Sequence, residues 1–443
     1  MTAAVLEPST ARDVICLDDD WQFAVNREAP VTSPAFIFSN AHTSDYDDSA
    51  WRTVDLPHDW SIEDIQPGND AFSGPFYDGA VGKQSQGFTV GGTGWYRKSL
   101  ALGEAFRGKR LILRFDGVYR DADVWINGQH LGNHPYGYTD FSYDITPHLR
   151  YGEDSNLIAV EVKNPGKNSR WYSGSGIYRH VWLTAVNPIH VLANGTFVTT
   201  PEVAASQATV LVANELTHTG DEQADVTVTV TIRNGAGDSV ATQAVRTRIQ
   251  AGQQYPLRQR LAVTAPDLWS PDSPSLYTAT TEIRLGDELV DCVVTAFGIR
   301  SIQFDAERGF RLNGVPALMK GGCVHHDNGP LGAVALDVAE HRRVRLLKEA
   351  GFNAIRCAHN PPSPAFLDAC DQLGVFVIDE AFDHWNRPKN PQDYHAFFSE
   401  WGEADMASIV CRDRNHPSVI LWSIGNEIPE QETLLGSETA RKL

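Results

Sequence analysis

The sequence predicts a multidomain protein: a jelly-roll β-sandwich, an immunoglobulin-like β-sandwich, and the N-terminal half of a (β/α)8 TIM barrel. Three observations predict it. Short aromatic-rich strand patterns, broken by Gly, Pro, Asn and Asp, fill residues 1–186 with no helical period between them. A Thr- and Val-rich stretch of period two follows over 187–303. From 304 to 443 continuous apolar strands alternate with amphipathic helices, as in a parallel sheet covered on both faces. At roughly 150 residues per domain, 443 residues suit three units.

In the first unit LILRF (111–115), ADVWING (122–128) and LIAVEVKN (157–164) have strand length and turn residues between them. Trp51, Trp60, Trp95, Trp125, Trp171 and Trp182 are expected in its core, with stacking on a sugar ring as the alternative use of such a flat face. In the second, ADVTVTVTIRN (224–234) alternates strictly and GAGD turns the chain. That suits an immunoglobulin-like sandwich without its disulfide, acting as a spacer or brace.

The third unit opens with a hairpin that feeds a buried strand ending in VHH. ALDVAEHRRVRLLKEAG then reads as an amphipathic helix on Leu336, Val338, Val344, Leu346 and Leu347, stopped by Gly351. AIRCAHN, VFVIDEA and VILWSIGNE are the next strands, with helices between them. No Gly-rich phosphate loop follows the first strand, which disfavours a nucleotide-binding fold. A barrel needs about 200 to 250 residues and only about 140 remain, so four strands with two open edges are expected.

Lys plus Arg is 37 against 56 for Asp plus Glu, a balance of −19 that argues against nucleic-acid or anionic membrane partners. No run of about 18 apolar residues and no readable secretion signal occurs. Six scattered Cys show no CxxC pair and no metal spacing, so free thiols in a reducing cytoplasm are expected.

Chemistry is expected where barrel strands end. The first gives His325, His326 and Asp327; the second Arg356, His359 and Asn360; the third Asp379, Glu380, Asp383 and His384; the fourth Asn426 and Glu427. Polar groups recurring at four successive strand ends point to a site for a polar, weakly charged substrate. Metal ligands could come from this set, but no HExxH spacing occurs, and no GxSxG elbow supports a Ser-His-Asp hydrolase. Two carboxylates flanking a glycosidic bond are the alternative. Glu427 suits the acid, since the apolar VILWSIG strand before it should raise its pKa. Asn426 could bond a sugar hydroxyl near the reacting carbon.

The sequence resembles glycoside hydrolase family 2, specifically its bacterial β-galactosidases, over nearly all of its length. The carrying motifs are LPHDW, GWYRKSL, FDGVYRDADVWINGQHLGNHPYGYTDFSYDIT and RWYSGSGIYRHVWL. In the last unit they are MKGGCVHHDNGPLG, NAIRCAHNPPSPAFLDACDQLGVFVIDEAFDHW and RDRNHPSVILWSIGNE. The resemblance implies a jelly roll, an immunoglobulin-like domain and a catalytic barrel, working by retaining double displacement. It implies Glu427 as acid/base, Asn426 as its sugar-binding partner, and His325, Arg356 and His359 as lining of a galactose pocket.

Two departures matter. Metal-dependent relatives carry a Glu-x-His pair after the third strand; here the stretch is DEAFDHWNR, so no metal and no cofactor is expected. The family nucleophile stands roughly 80 to 100 residues after the acid/base by barrel spacing, and is expected beyond residue 443. Glu430, Glu432 and Glu438 share the loop and helix of Glu427 and cannot stand in. The chain alone is therefore expected to be inactive. Its partner is expected to be a β-galactoside, with a homo-oligomer possible. β-Glucuronidase, β-mannosidase and a non-catalytic carbohydrate-binding fragment are the rivals.

Overall fold

A computed structural model describes residues 5–8, 11–28, 36–65, 74–152 and 155–443. The first unit packs a larger sheet against a four-stranded one. The larger sheet runs Arg52–Val54, Trp21–Arg27, Gly92–Leu102, Ser155–Asn164, Ala122–Ile126 and Gln129–His134, with Val5–Leu6 parallel beside Gly92–Leu102. The other runs Arg12–Cys16, Val181–Val186, Arg110–Phe115 and Phe141–Asp144. Alternation decides which side chains meet: in Arg110–Phe115 every second residue (Leu111, Leu113, Phe115) is buried. Trp21, Phe23, Trp60 and Tyr96 form the aromatic part of the core between the sheets.

The second unit pairs a three-stranded sheet (Ile189–Val203, Gln207–His218, Gln254–Thr264) with a four-stranded one (Ser239–Ile249, Ala224–Arg233, Tyr277–Leu285, Glu288–Phe297). No disulfide links its sheets; Cys292 is free. A buried polar bridge stands between them instead. Thr196 Oγ1 donates to Asn214 Oδ1 at 2.8 Å, and Asn214 Nδ2 donates to Thr281 Oγ1 at 3.2 Å.

In the third unit a short hairpin sheet leads into four parallel strands in sequence order: Gly321–Val324, Ala354–Cys357, Phe376–Glu380 and Val419–Ser423. Helices α1 (Asp337–Glu349), α2 (Pro364–Leu373), α3 (His395–Asp413) and α4 (Leu434–Lys442) accompany them. Gly321 lets the first two strands approach: a Cβ there would stand 2.1 Å from the Ala354 carbonyl oxygen. Ser363 caps α2 by accepting from the Phe366 N–H, and Gly374 at φ 69° closes it.

The expected apolar face of α1 is only partly realised. Val344 is fully buried, but Val338 is 78% exposed, and Leu336 and Leu346 also face solvent. Gly321–Val324 is an edge strand of its sheet, and its residues are exposed or half-buried. Leu318, Met319, Leu421, Leu434 and Leu435 are exposed too, as expected of an open sheet. No described helix is long and apolar enough to cross a membrane, which says nothing of β-barrel spans.

The units are bolted together by polar contacts on an aromatic bed. Arg12 forms a bidentate pair with Asp291 at 2.8 and 2.9 Å, joining the sandwiches. Tyr119, Tyr136, Tyr138 and Tyr178 of the first unit pack with Phe382, Trp385, Tyr394 and Phe398 of the barrel. Asp371 of α2 ties the second sandwich to the fourth strand. Its backbone carbonyl accepts from Trp269 Nε1, and its carboxylate takes the Ser418 N–H at 2.9 Å and pairs with His416 Nδ1 at 2.6 Å.

Burial alone would lower the pKa of His416, but the Asp371 carboxylate prevails and brings it up to about 9. A folded-state pKa above the ordinary 6.5 gives stability that is present below pH 6.5 and lost as pH rises through about 9. The stability of the chain should therefore fall by on the order of 3 kcal/mol from this pair over that window. His416→Gln should be less stable at pH 6 and should lack that part of the slope. Parallel melting curves of the two proteins from pH 6 to pH 10.5 would show His416 uncoupled from stability.

Candidate active site

At the C-terminal ends of the barrel strands Glu380 forms a buried hub. Arg356 donates to its Oε2 through Nε and Nη2 at 2.9 and 2.7 Å, Ser423 Oγ donates to the same oxygen at 2.7 Å, and His359 Nδ1 meets Oε1 at 2.6 Å. Burial opposes ionisation of Glu380, but the bonds from His359, Ser423 and Arg356 hold its pKa below the usual range. Strand alternation places Arg356 on the pocket side and Cys357 in the apolar layer beneath the helices.

Asp383 is the second hub. Arg170 Nε and Nη2 donate to its two oxygens at 2.8 and 2.6 Å, Lys389 Nζ donates at 2.9 Å, and Asn426 Nδ2 donates at 2.8 Å. Burial again opposes ionisation, and the Arg170, Asn426 and Lys389 bonds overrule it to bring the pKa down to about 2. Asn426 links the hubs, since its Oδ1 accepts from Arg356 Nη2 at 2.9 Å.

Glu427 follows Asn426 in the left-handed region, at φ 45°. A non-glycine residue held there costs about 1–3 kcal/mol and is a frequent mark of functional sites. Its setting differs from the apolar one expected. The side chain is 71% exposed, and Arg170 Nη1 and Nη2 each stand 3.3 Å from Oε2. The strand before it is apolar, but the turn carries the carboxylate out of that strand's environment.

An aromatic wall stands beside these groups. Trp171 stacks on His325 with ring centroids 5.1 Å apart, and His359 meets both rings edge-on at 5.5 Å. Burial and the neighbouring His359 lower the pKa of His325. His325, Arg356, His359, Asn426 and Glu427 thus share one region of the barrel mouth.

The other strand-end residues do structural work. His326 is buried against Tyr138 and Tyr178, its Nε2 on the Ser173 carbonyl at 3.1 Å, and burial takes its pKa to about 3. His384 is buried beside Asp383 and Asp393, with its pKa brought to about 4 by burial. Asp379 lies on the opposite strand face from Glu380. Burial, then nearby Asp413, raise its pKa well above the carboxylate range. Asn360 caps its own turn at the Pro361 carbonyl, and Asp327 accepts from the Gly329 N–H.

Arg170, Trp171, Lys389 and Ser423 belong to the site and were not assigned to it from sequence. Arg170 and Trp171 lie in the first unit, more than 200 residues from Glu427 in the chain. The RWYSGSG motif was the available signal, an Arg-Trp pair in a turn rich in small residues.

Two groups of three metal-capable side chains occur among the described residues: Cys16, Asp18 and His180, and Asp368, Asp371 and His416. Both lie away from these hubs. In each the imidazole is already paired with a carboxylate.

Two β-sandwiches mounted on parallel barrel strands, with carboxylates, imidazoles and a tryptophan converging at the strand ends, define a sandwich-on-barrel protein. Residues 14–187 match the family description "Glycosyl hydrolases family 2, sugar binding domain", 190–300 match "Glycosyl hydrolases family 2", and 306–439 match "Glycosyl hydrolases family 2, TIM barrel domain". A β-galactosidase of Bacteroides ovatus is 44% identical over 414 residues, covering 93% of this chain and 46% of that protein. A protein of Formosa agariphila named as a putative β-glucuronidase is 38% identical, covering 93% and 37%. The crystal structure of a family 2 member from Bacteroides cellulosilyticus superposes with a TM-score of 0.90 at 45% identity, covering 97% of this chain and 53% of that one. The chain belongs to glycoside hydrolase family 2 and spans about half the length of these relatives or less.

Proposed function

We propose that this chain supplies the sugar pocket and the acid/base half of a retaining exo-β-galactosidase. The observation that carries the choice of sugar is the neutralisation of the bordering cations. Arg170 and Lys389 are both engaged by Asp383, and Arg356 by Glu380. A uronate carboxylate would need a free cation. Imidazoles, an amide and the face of Trp171 suit hydroxyls and the apolar face of a neutral ring.

In this reading His359 carries its proton on Nδ1 toward Glu380, leaving Nε2 to accept from a sugar hydroxyl. Asn426 keeps one N–H beyond the bond to Asp383 and turns it to the hydroxyl beside the anomeric carbon. Glu427 protonates the leaving glycosidic oxygen, then takes the proton from the water that releases the sugar. Glu380 and Asp383 accept from Arg, Lys, His, Ser and Asn donors, and this reading gives both the task of holding the pocket side chains in place. In this reading the attacking carboxylate is a further residue, expected outside 1–443, and the chain alone is expected to be inactive.

The same reading takes 1–186, 187–303 and 304–443 as the three structural units. It places the protein in the cytoplasm, where unpaired Cys357 and Cys370 would stay reduced, and allows assembly into a homo-oligomer. Matched nitrophenyl β-galactoside, β-glucuronide and β-mannoside assays on the complete protein test the sugar. The galactoside should have the highest kcat/KM; faster turnover of the glucuronide would reassign the substrate, and no turnover of any would favour a binding role.

A further inference from the structure

Arg170 is the feature of this site that the mechanism above leaves without a task. It belongs to the first unit, yet its guanidinium is shared between two barrel carboxylates. It makes four contacts: Nε and Nη2 on the two oxygens of Asp383, and Nη1 and Nη2 both facing Glu427 Oε2 at 3.3 Å. Asp383 in turn is pinned by Lys389, whose Nζ also donates to the Asn426 backbone carbonyl at 2.8 Å, one peptide before Glu427. The Asn426–Glu427 turn is thus held from its side chain, its backbone and its carboxylate, and Arg170 makes the last of these connections.

We infer that Arg170 is the positioning residue of the acid/base, reaching from the sandwich to hold the Glu427 carboxylate over the barrel mouth. This rests on the acid/base reading of Glu427. The charged and titratable groups around that carboxylate are Arg170 from the first unit, Asp383 and Lys389 from the loop after the third strand, and the Arg356–Glu380–His359 set joined through Asn426. Of these Arg170 makes the direct contact. The fork fixes the direction of the carboxylate, which a flexible ammonium would do less well. The left-handed backbone at Glu427 gives the side chain one approach to the mouth, and the fork keeps it there.

The test uses Arg170→Met and Arg170→Lys in the complete protein, with kcat/KM on an alkyl β-galactoside measured from pH 5 to pH 10. The alkaline limb reports loss of the acid's proton. Arg170→Met should lower kcat more than it raises KM. Arg170→Lys should recover only part of kcat, because an ammonium lacks the fork. Addition of guanidinium to an Arg170→Ala protein should restore part of the rate.

Glu427→Gln, run beside them, separates the two ideas. If the alkaline limb survives that substitution, the acid/base reading of Glu427 is wrong. If the limb vanishes with Glu427→Gln yet folded Arg170→Met keeps the parent's kcat, or if Arg170→Met and Arg170→Lys lose kcat equally, the role given to Arg170 is wrong.

Discussion

Glu427→Gln in the complete protein should lower kcat/KM on alkyl β-galactosides by about 100- to 10,000-fold, the range general acid catalysis contributes. Activated aryl β-galactosides should be affected far less in the same parameter, because a stable phenolate departs with little protonation. Their release step should still slow, since Glu427 also serves as base there, and azide should partly restore turnover by attacking without a base. The exposure of Glu427 favours this result: a carboxylate open to the barrel mouth can reach both the leaving oxygen and an entering water. Equal losses on both substrates with no azide effect would move the acid/base role to another residue.

Glu380→Gln should have the largest effect on stability. The carboxylate is completely buried and receives Arg356, Ser423 and His359 together. Removing one partner of a fully buried pair costs about 3–5 kcal/mol, and the one-third exposure of Arg356 lets solvent screen the charge left behind, so the loss should be smaller than that. An amide can accept from Arg356 but cannot neutralise it, and its NH2 group confronts the other donors. Denaturant unfolding should show the loss in this chain without any substrate. The pocket should suffer too, since Arg356 and His359 lose their common anchor. A variant as stable as the parent would mean that these short contacts contribute little, and the hub would have to be reassigned as a flexible surface network.

Much of this was legible in the residues because local pattern and tertiary structure agree. The period-two run at 224–233 became a strand, and SPAFLDACDQLG became α2 with Ser363 and Gly374 as its caps. The strand ends of the barrel were legible for the same reason: a polar residue just after a continuous apolar run has to face the mouth or be paired. What alternation could not tell was which partner each would take. Glu380 and Asp379 are adjacent, yet one gathers the pocket and the other faces Asp413 on α3.

The environment of Glu427 was misjudged for a related reason. The apolar strand that precedes it does not describe its surroundings, because one residue in the left-handed region turns the side chain outward to Arg170. Arg170 and Trp171 could not be placed from spacing at all, because docking of the sandwich on the barrel brings them there. The outward flank of α1 shows the same limit. Val338 and Leu346 have the helical spacing of a buried face, and burial depends on what stands opposite.

The central claim is that residues 1–443 hold the pocket and the acid/base while another segment supplies the attacking carboxylate. Incubating the complete protein with an activated 2-deoxy-2-fluoro-β-galactoside should trap the glycosyl-enzyme, and peptide mass mapping would locate the sugar. The adduct should sit on a carboxylate outside residues 1–443, with Glu380, Asp383 and Glu427 unmodified. A fluorosugar attached to any carboxylate within 1–443, Glu380 above all, would contradict the account.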